Sequence, residues 1–304
     1  MTEIVILIAA MFLDMVIGGR RLLGGLPDID RLSQGVVARV VPKLNRDRRG
    51  PKTLLFRGLI FFLFLVFLYW QAGQWLEYFL YQFAIGDWLV AGVLFLFMRQ
   101  RIRLDQVFTA RRDVMGVDDA EGSAAVTDDP HRQPRVALQD LYDGFFSHCC
   151  AVVVMYIWQG LAAVFAFRIG VIIVQYYFER HSRQQLSPFY LGIVPLYNIA
   201  SFFPAVLSTF CLLAAGPLIA ASPRQSREPF PGLRTATLWG RDWALWAASA
   251  ILGYSFYLGP EAGWSGPTAA RARLLAKDML RGAYLYIMGW LIVVALCGVQ
   301  ILFR

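Results

Sequence analysis

Long apolar runs separated by short polar segments dominate the pattern of this chain. The runs cover residues 4–19, 54–72, 88–98, 145–178, 189–221, 243–258 and 282–303. A bilayer core about 30 Å thick is crossed by roughly 20 apolar helical residues, so this pattern predicts transmembrane or re-entrant helices. We expect an all-α, polytopic helical membrane protein with about six such helices, forming one domain over residues 1–304.

Three runs have irregular lengths or contents. The run 145–178 is too long for one straight crossing, and Arg168 and Gly170 predict a break inside it. Pro195 and Pro204 are expected to kink or interrupt the run 189–221. The short run 88–98 is expected to join residues 78–85 across Gly86 to complete a crossing.

Composition and charge support the membrane assignment. Hydrophobic residues make up 58% of the chain and charged residues only 16%, with a mean hydropathy of +0.51. The formal net charge of +8 comes from basic residues in the segments between apolar runs, as the positive-inside bias predicts. We therefore expect a multi-pass protein of the bacterial inner (cytoplasmic) membrane, with the lipid bilayer as its partner and no nucleic acid.

Two polar segments are predicted to be cytoplasmic. The first, 20–53, holds nine Lys or Arg and contains a stretch, 31–44, whose apolar spacing favours an amphipathic interfacial helix. The second is a loop at 99–144, whose acidic second half is expected to be mobile. This loop is our candidate for binding another membrane or cytoplasmic protein.

Cysteine and histidine usage gives no sign of a cofactor. The four cysteines, Cys149, Cys150, Cys211 and Cys297, all fall in apolar runs and form no metal-binding spacing. The three histidines are scattered along the chain. We expect buried, inert thiols, no metal and no cofactor.

Asp140 and Asp143 lie one helical turn apart, immediately before the apolar run that starts at residue 145. Carboxylates in the first turn of a helix stabilise its dipole by about 0.3–1 kcal/mol, so a structural role at a helix N-terminus is one interpretation. The alternative is a ligand site, because paired carboxylates can hold Mg²⁺ beside a phosphate. No phosphate-binding loop motif accompanies them.

Ionisable groups within the apolar runs need partners or functions, because burying them in a membrane is costly. Asp14 is expected to reach the headgroups or to pair with Arg20 or Arg21. Arg168 is deeper in its run, so we expect an internal acidic partner, with Asp14 or Asp143 as candidates.

Asn198 lies between Pro195 and Pro204, where a broken helix would free backbone groups. One interpretation is a substrate pocket of a small transporter, since broken helices line such cavities. The alternative is that Asn198 and Ser201 restore the lost backbone hydrogen bonds.

Several short stretches, in order, resemble the CobD/CbiB family of cobalamin-biosynthesis membrane enzymes and the related AmpE family. The opening LDMVIGG resembles the family's start, and QDLYDGFF matches its Asp-Gly motif at Leu141, Asp143 and Gly144. FFPAVLS resembles a later motif at Pro204 and Ala205, with Val206 in place of an arginine. An acidic pair of the family would align with Tyr197 and Asn198 here.

This resemblance implies a choice of functions. The cobalamin enzymes, adenosylcobinamide-phosphate synthases, form an amide at the cytoplasmic membrane face, whereas AmpE-like members are linked to cell-wall stress signalling. Because several acidic positions are replaced, we expect a non-catalytic, AmpE-like protein with a regulatory, sensory or structural role; the enzyme is the alternative. The candidate substrate-binding residues are Asp14, Asp143, Gly144, Arg168, Asn198 and Pro204.

Overall fold

The computed structural model describes residues 3–17, 29–45, 50–119, 132–178, 187–219, 238–257, 264–265 and 274–303. Helices dominate these residues, with two strands of two residues each. The helices are α1 (Glu3–Ile17), α2 (Ile29–Leu44), α3 (Pro51–Leu80), α4 (Gly86–Met98), α5 (Gln100–Asp119), α6 (Arg132–Gly144), α7 (Ala151–Phe178), α8 (Pro188–Leu191), α9 (Ile193–Ala215), α10 (Trp239–Leu252) and α11 (Ala276–Leu302). A π-helical segment, Phe145–Cys150, joins α6 to α7, a 3₁₀ turn, Pro217–Ile219, follows α9, and the antiparallel strands β1 (Phe256–Tyr257) and β2 (Trp264–Ser265) pair between α10 and α11.

Four helical stretches in the described part of the chain are long and apolar enough to cross a membrane. They are Pro51–Leu80, Gln133–Phe178, Pro188–Ile219 and Ala276–Leu302. This indicates a membrane protein. The cysteines Cys149, Cys150, Cys211 and Cys297 are free and buried, which confirms that part of the expectation.

The longest of these stretches is a helical hairpin. Gln159 (φ −151°, ψ 31°) and Gly160 (φ 62°, ψ −151°) leave the helical conformation, and the contacts show that the chain reverses there. The Arg168 Nη2 lies 2.9 Å from the His148 Nε2, and the Gln175 Nε2 lies 3.4 Å from the Asp143 Oδ2. We name residues 132–158 the first arm and residues 161–178 the second arm.

The predicted break at Arg168 and Gly170 is therefore wrong, because both residues are helical and lie within the second arm. Only glycine readily adopts the positive φ of residue 160, so the chain reverses at a position where the sequence has a glycine. Charge and hydropathy, which suggested the position of the break, do not report on backbone conformation.

Helix α3 runs antiparallel to the second arm. A Cβ added to Gly73 would lie 2.6 Å from the Ala162 Cα, so the two backbones are in close contact there. At the hairpin turn, the Glu77 Oε2 accepts a hydrogen bond of 2.9 Å from the Leu161 amide, the first amide of the second arm. A side chain from α3 thus caps the second arm and holds the turn in place.

The short helices complete the bundle. Helix α1 packs against α4, α5 and α11, where the Phe12 and Trp290 rings meet edge to face at 5.3 Å. Helix α3 ends at residue 80, a turn follows at residues 81–85, and helix α4 then begins. Residues 78–85 therefore do not extend the run 88–98 as expected. The predicted amphipathic helix at 31–44 is confirmed as α2, with Val37 and Val41 buried.

The segment 99–144, expected to be a loop, contains two helices that pack against each other, α5 and α6. Helix α5 buries Leu104, Val107 and Val114 at helical spacing. The acidic stretch 120–131 between the helices lies outside the described residues. The expectation of a mobile loop now applies to this stretch alone and stays a prediction.

Helix α9 is continuous through Pro204, and Pro195 lies in its first turn. The predicted interruption of the helix at these prolines is wrong, whereas the alternative that Pro204 kinks the helix stays a prediction. A proline in the first turn removes no intrahelical hydrogen bond, because the first amides of a helix have no partner in it. The helical interruption occurs earlier, at Gly192 between α8 and α9.

We predict that Gly160→Ala destabilises the protein by about 1–3 kcal/mol, the usual cost of a non-glycine residue in a sparsely populated backbone region. The added Cβ would also lie 2.5 Å from a Glu77 carboxylate oxygen. Thermal unfolding of the detergent-solubilised protein, followed by tryptophan fluorescence, measures the loss. The control is Gly92→Ala, a helical glycine with nothing within 4 Å of an added Cβ; equal unfolding temperatures for the two variants would contradict the prediction.

Candidate functional site

A polar cavity of about 640 Å³ lies where α2, α5, both arms of the hairpin, α9 and α10 meet. We call it the basic cavity because five arginines and three aspartates line it: Arg31, Arg99, Arg103, Arg168, Arg241, Asp30, Asp140 and Asp143. Polar side chains, among them Gln34, Gln106, Ser147, Gln175 and Tyr197, complete much of its wall. The lining therefore carries an excess of positive charge in a largely apolar molecule.

Arg168 forms the most extensive polar contacts of this cavity. Its Nε donates to the Asp30 Oδ1 at 2.9 Å and its Nη2 donates to the Asp30 Oδ2 at 2.6 Å, a bidentate ion pair. The Arg99 Nη1 lies 3.4 Å from the same Asp30 oxygen. Asp30 thus has two cationic neighbours, while Arg168 is 5% exposed.

His148 continues this chain of contacts, and its geometry defines its protonation. The Nδ1 lies 2.7 Å from the Phe97 carbonyl oxygen, which can only accept a hydrogen bond, so Nδ1 carries the proton. The Nε2 lies 2.9 Å from the Arg168 Nη2, which can only donate, so Nε2 is an acceptor. The ring is neutral, and both nitrogens are occupied by the protein itself.

One part of the Arg168 guanidinium remains unused. The Nη1 atom is buried and has no hydrogen-bond partner among the described residues. Its two N–H groups are therefore unsatisfied donors within the described part of the chain.

Arg103 of α5 also lines the basic cavity and contacts the first arm. Its Nη1 donates to the Asp140 carbonyl oxygen. An added Cβ at Gly144 would lie 2.4 Å from the Arg103 Cδ, so Gly144 provides the space that the arginine occupies. Burial lowers the pKa of the Arg103 guanidinium, and the nearby Asp143 carboxylate opposes that shift.

Three of the six predicted site residues lie at the basic cavity: Asp143, Gly144 and Arg168. Asp143 lines it and faces Gln175, while Gly144 accommodates Arg103. The expected acidic partner of Arg168 was Asp14 or Asp143, and this was wrong because Asp30 of α2 forms the ion pair. Asp140 and Asp143 lie near the end of α6, and the helical chain continues into the π segment, so no helix N-terminus explains them.

Asp14 has a structural position outside the lining of the cavity. It is 1% exposed, and its Oδ2 accepts a hydrogen bond of 2.6 Å from the Gln100 amide at the start of α5. The side chain is buried, so the expected position at the headgroups is wrong, and Arg20 and Arg21 lie outside the described residues. Asp14 fixes the sharp turn between α4 and α5, where Arg99 has a left-handed conformation with φ 46°.

Asn198 and Pro204 also have structural positions in α9. The Asn198 Oδ1 accepts a hydrogen bond of 3.3 Å from the Trp239 amide, the first residue of α10. The Ser201 Oγ donates to the Asn198 carbonyl oxygen at 3.0 Å. Pro204 is buried in a continuous helix and does not line the basic cavity. Asn198 thus joins two helices, and the broken-helix pocket that the transporter interpretation required is not formed at this place.

Sequence reasoning missed most of the cationic lining, namely Arg31, Arg99, Arg103 and Arg241, together with Asp30. Apart from Arg241, these residues belong to the segments 20–53 and 99–144, which the sequence predicts to be cytoplasmic. The amphipathic spacing of α5 was the signal that could have indicated some of these lining residues. A helix whose apolar face packs on a bundle directs some of its charged residues along the protein surface. In the described part of the chain, no group of three or more His, Cys, Asp or Glu side chains is arranged to hold a metal ion.

Fold and site together define a helical protein of the membrane type with an arginine-lined polar cavity among its helix ends. Comparison with known proteins finds no matching family model, no similar curated protein and no similar solved structure.

We predict strong energetic coupling between Asp30 and Arg168. Breaking a buried ion pair leaves an uncompensated charge, so Asp30→Ala is expected to destabilise the protein by about 3–5 kcal/mol. In a double-mutant cycle with Arg168→Ala, the double variant should lose less than the sum of the single losses, by about 1–3 kcal/mol. Unfolding of the detergent-solubilised variants gives the three free energies.

The control cycle uses Arg101 and Asp105, an exposed pair one turn apart on α5 with an Nε to Oδ1 distance of 3.3 Å. Its coupling should be about 0.5 kcal/mol or less, as for other solvated helical pairs. Equal coupling in the two cycles would show that the Asp30–Arg168 pair has no special role.

Proposed function

We propose that this protein is a multi-pass protein of the bacterial cytoplasmic membrane that binds a small anion in the basic cavity and has a regulatory or sensory role. The observation that carries the proposal is the lining of that cavity, with five arginines against three aspartates. Positive charge held near low-dielectric helices attracts an anion strongly, and arginine is suited to phosphate and carboxylate groups.

The contacts of the acid and base groups favour binding over catalysis. Both nitrogens of His148 are occupied, by the Phe97 carbonyl group and by Arg168. Asp30 is paired to Arg168 and Asp14 to the α5 amide. A general base must reach a substrate proton, and these groups are directed at the protein itself.

The cavity also joins elements that a ligand would draw together. Arg31 belongs to α2, Arg103 to α5, Arg168 to the second arm and Arg241 to α10. A bound anion that contacts several of these side chains stabilises the arrangement in which they converge. Helices α5 and α6 belong to the segment 99–144, so we propose that this segment transmits the bound state to a protein partner.

The membrane topology in this proposal has about six transmembrane or re-entrant units. They are α1, α3, α4, the hairpin taken as one unit, α9 and α11. The basic segments 20–53 and 99–144 assign the end of the bundle that holds the cavity to the cytoplasm. The sequence resemblance to AmpE-like members of the CobD/CbiB–AmpE superfamily agrees with a signalling role at that face.

Binding of inorganic pyrophosphate to the detergent-solubilised full chain tests the proposal by calorimetry. We expect saturable binding that weakens as salt is raised, because the attraction is electrostatic. Arg103→Gln should weaken it by about tenfold or more, since a hydrogen bond to a charged group contributes about 1.5–3 kcal/mol.

The matched control is Arg101→Gln, since Arg101 is an exposed arginine on the same helix and does not line the cavity. It should leave the affinity for pyrophosphate unchanged. Absence of saturable binding by pyrophosphate, phosphate and citrate, or equal loss in both variants, would overturn the proposal.

The second candidate is an amide-forming enzyme of cobalamin biosynthesis, favoured by the position of Asp143 in the cavity. Complementation of a cobalamin-auxotrophic strain distinguishes it. We expect no growth from the wild-type chain, because His148 and Asp30 are occupied by protein groups and several acidic positions of the family are replaced. Growth that is abolished by Asp143→Ala and retained by Asp105→Ala would establish the enzyme instead.

A further inference from the structure

A second cavity, of about 650 Å³, lies between α3, the two arms of the hairpin and α9. Its lining is almost entirely apolar and includes Phe62, Trp70, Phe167, Gly170 and Phe203. We call it the apolar cavity. Its rim includes Phe203, whose side chain is 71% exposed, so the cavity opens on the apolar outer surface of the bundle.

The two cavities adjoin each other at the second arm, where Arg168 of the basic cavity lies between Phe167 and Gly170 of the apolar cavity in the sequence. Phe167 and Gly170 line the apolar cavity, and Val171 and Val174 line the basic cavity. Residues 167, 170, 171 and 174 are spaced by three and four, so they share one face of the helix. A molecule lying along this face would contact the linings of both cavities.

Tyr197 of α9 lines both cavities and marks their boundary. Its ring stacks on Phe167, with ring centroids 5.9 Å apart and an interplanar angle of 27°. An added Cβ at Gly170 would lie 3.6 Å from the Tyr197 Cδ2 and 3.7 Å from the Phe62 Cε2. The missing side chain of Gly170 therefore leaves space at the boundary, and a larger residue would fill it.

We infer that the anion bound by this protein is the headgroup of an amphiphile, an anionic lipid with a phosphate group next to its chains. The headgroup binds the arginines of the basic cavity, and a chain lies in the apolar cavity beside Phe167 and Gly170. A soluble anion would leave the apolar cavity unused, and a neutral lipid would not balance the excess of arginines over aspartates in the lining of the basic cavity. This inference rests on the proposed anion site and specifies its ligand class.

Entry from the membrane agrees with the position of the apolar cavity. Trp158, Ile199 and Phe203 of its lining are largely exposed, as lipid-facing side chains are. A lipid chain can reach the cavity laterally without crossing water, while its headgroup remains at the polar end of the helices.

Three probes separate the two parts of the ligand: dioctanoyl phosphatidic acid, glycerol 3-phosphate and dioctanoylglycerol. Their affinities for the detergent-solubilised full chain are measured by thermal shift and calorimetry. We expect phosphatidic acid to bind at least about tenfold more tightly than glycerol 3-phosphate, because the burial of only two methylene groups of its chains already has an effect of this size. Dioctanoylglycerol should bind no better than glycerol 3-phosphate.

The variant Gly170→Leu fills the boundary between the cavities. It should reduce the affinity for phosphatidic acid about tenfold, towards that of glycerol 3-phosphate, and leave the binding of glycerol 3-phosphate unchanged. Gly298→Leu in α11 is the control, because an added Cβ there has nothing within 4 Å. Ala163→Leu, in the apolar cavity, is the second test variant if Gly170→Leu does not fold.

The outcomes distinguish the two proposals. Equal binding of phosphatidic acid and glycerol 3-phosphate, unaffected by both cavity variants, would overturn the lipid inference and retain the anion site. Binding of neither phosphate compound would overturn both. Equal weakening by Gly298→Leu and Gly170→Leu would contradict a role for the apolar cavity.

Discussion

The buried guanidinium of Arg168 is the interaction on which the polar end of this bundle depends. It pairs with Asp30 of α2 and donates to His148 of the first arm, which in turn donates to the Phe97 carbonyl group of α4. Isolated, such a cation would be costly in an apolar helix. Because Asp30, His148 and the Phe97 carbonyl group that orients His148 come from three other elements, the charge is stabilised only when those elements are assembled, and the assembly creates the basic cavity.

The hairpin makes this arrangement possible. The reversal at Gly160 returns the second arm to the first, so that residues 20 positions apart, His148 and Arg168, lie in hydrogen-bond contact. Glu77 caps the second arm at the far end of α3, and α3 packs along that arm. One glycine conformation and one carboxylate at the turn thus position His148 and Arg168, which lie twelve and eight residues from Gly160 on the two arms.

The two cavities show how the same helices provide different chemistry on different faces. On the second arm, one face contributes Phe167 and Gly170 to the apolar cavity, and the neighbouring face contributes Arg168 and Gln175 to the basic cavity. The apolar part follows from the hydrocarbon environment and the polar part from the helix ends, where charged side chains of α2, α5 and α10 converge. Tyr197 is suited to the boundary, because its ring packs on Phe167 and its hydroxyl group is polar.

The sequence by itself determined the helical class, the presence of helices long and apolar enough to cross a membrane, the amphipathic helix α2 and the buried state of the cysteines, because hydrophobic periodicity and run length report directly on the environment of a helix. It also indicated Asp143, Gly144 and Arg168. Only the tertiary structure decided that Asp30 is the partner of Arg168, that Asp14 and Asn198 join helices, and that the chain reverses at Gly160. Those features depend on contacts between residues far apart in sequence and on one backbone conformation, and neither leaves a periodic signal in the chain.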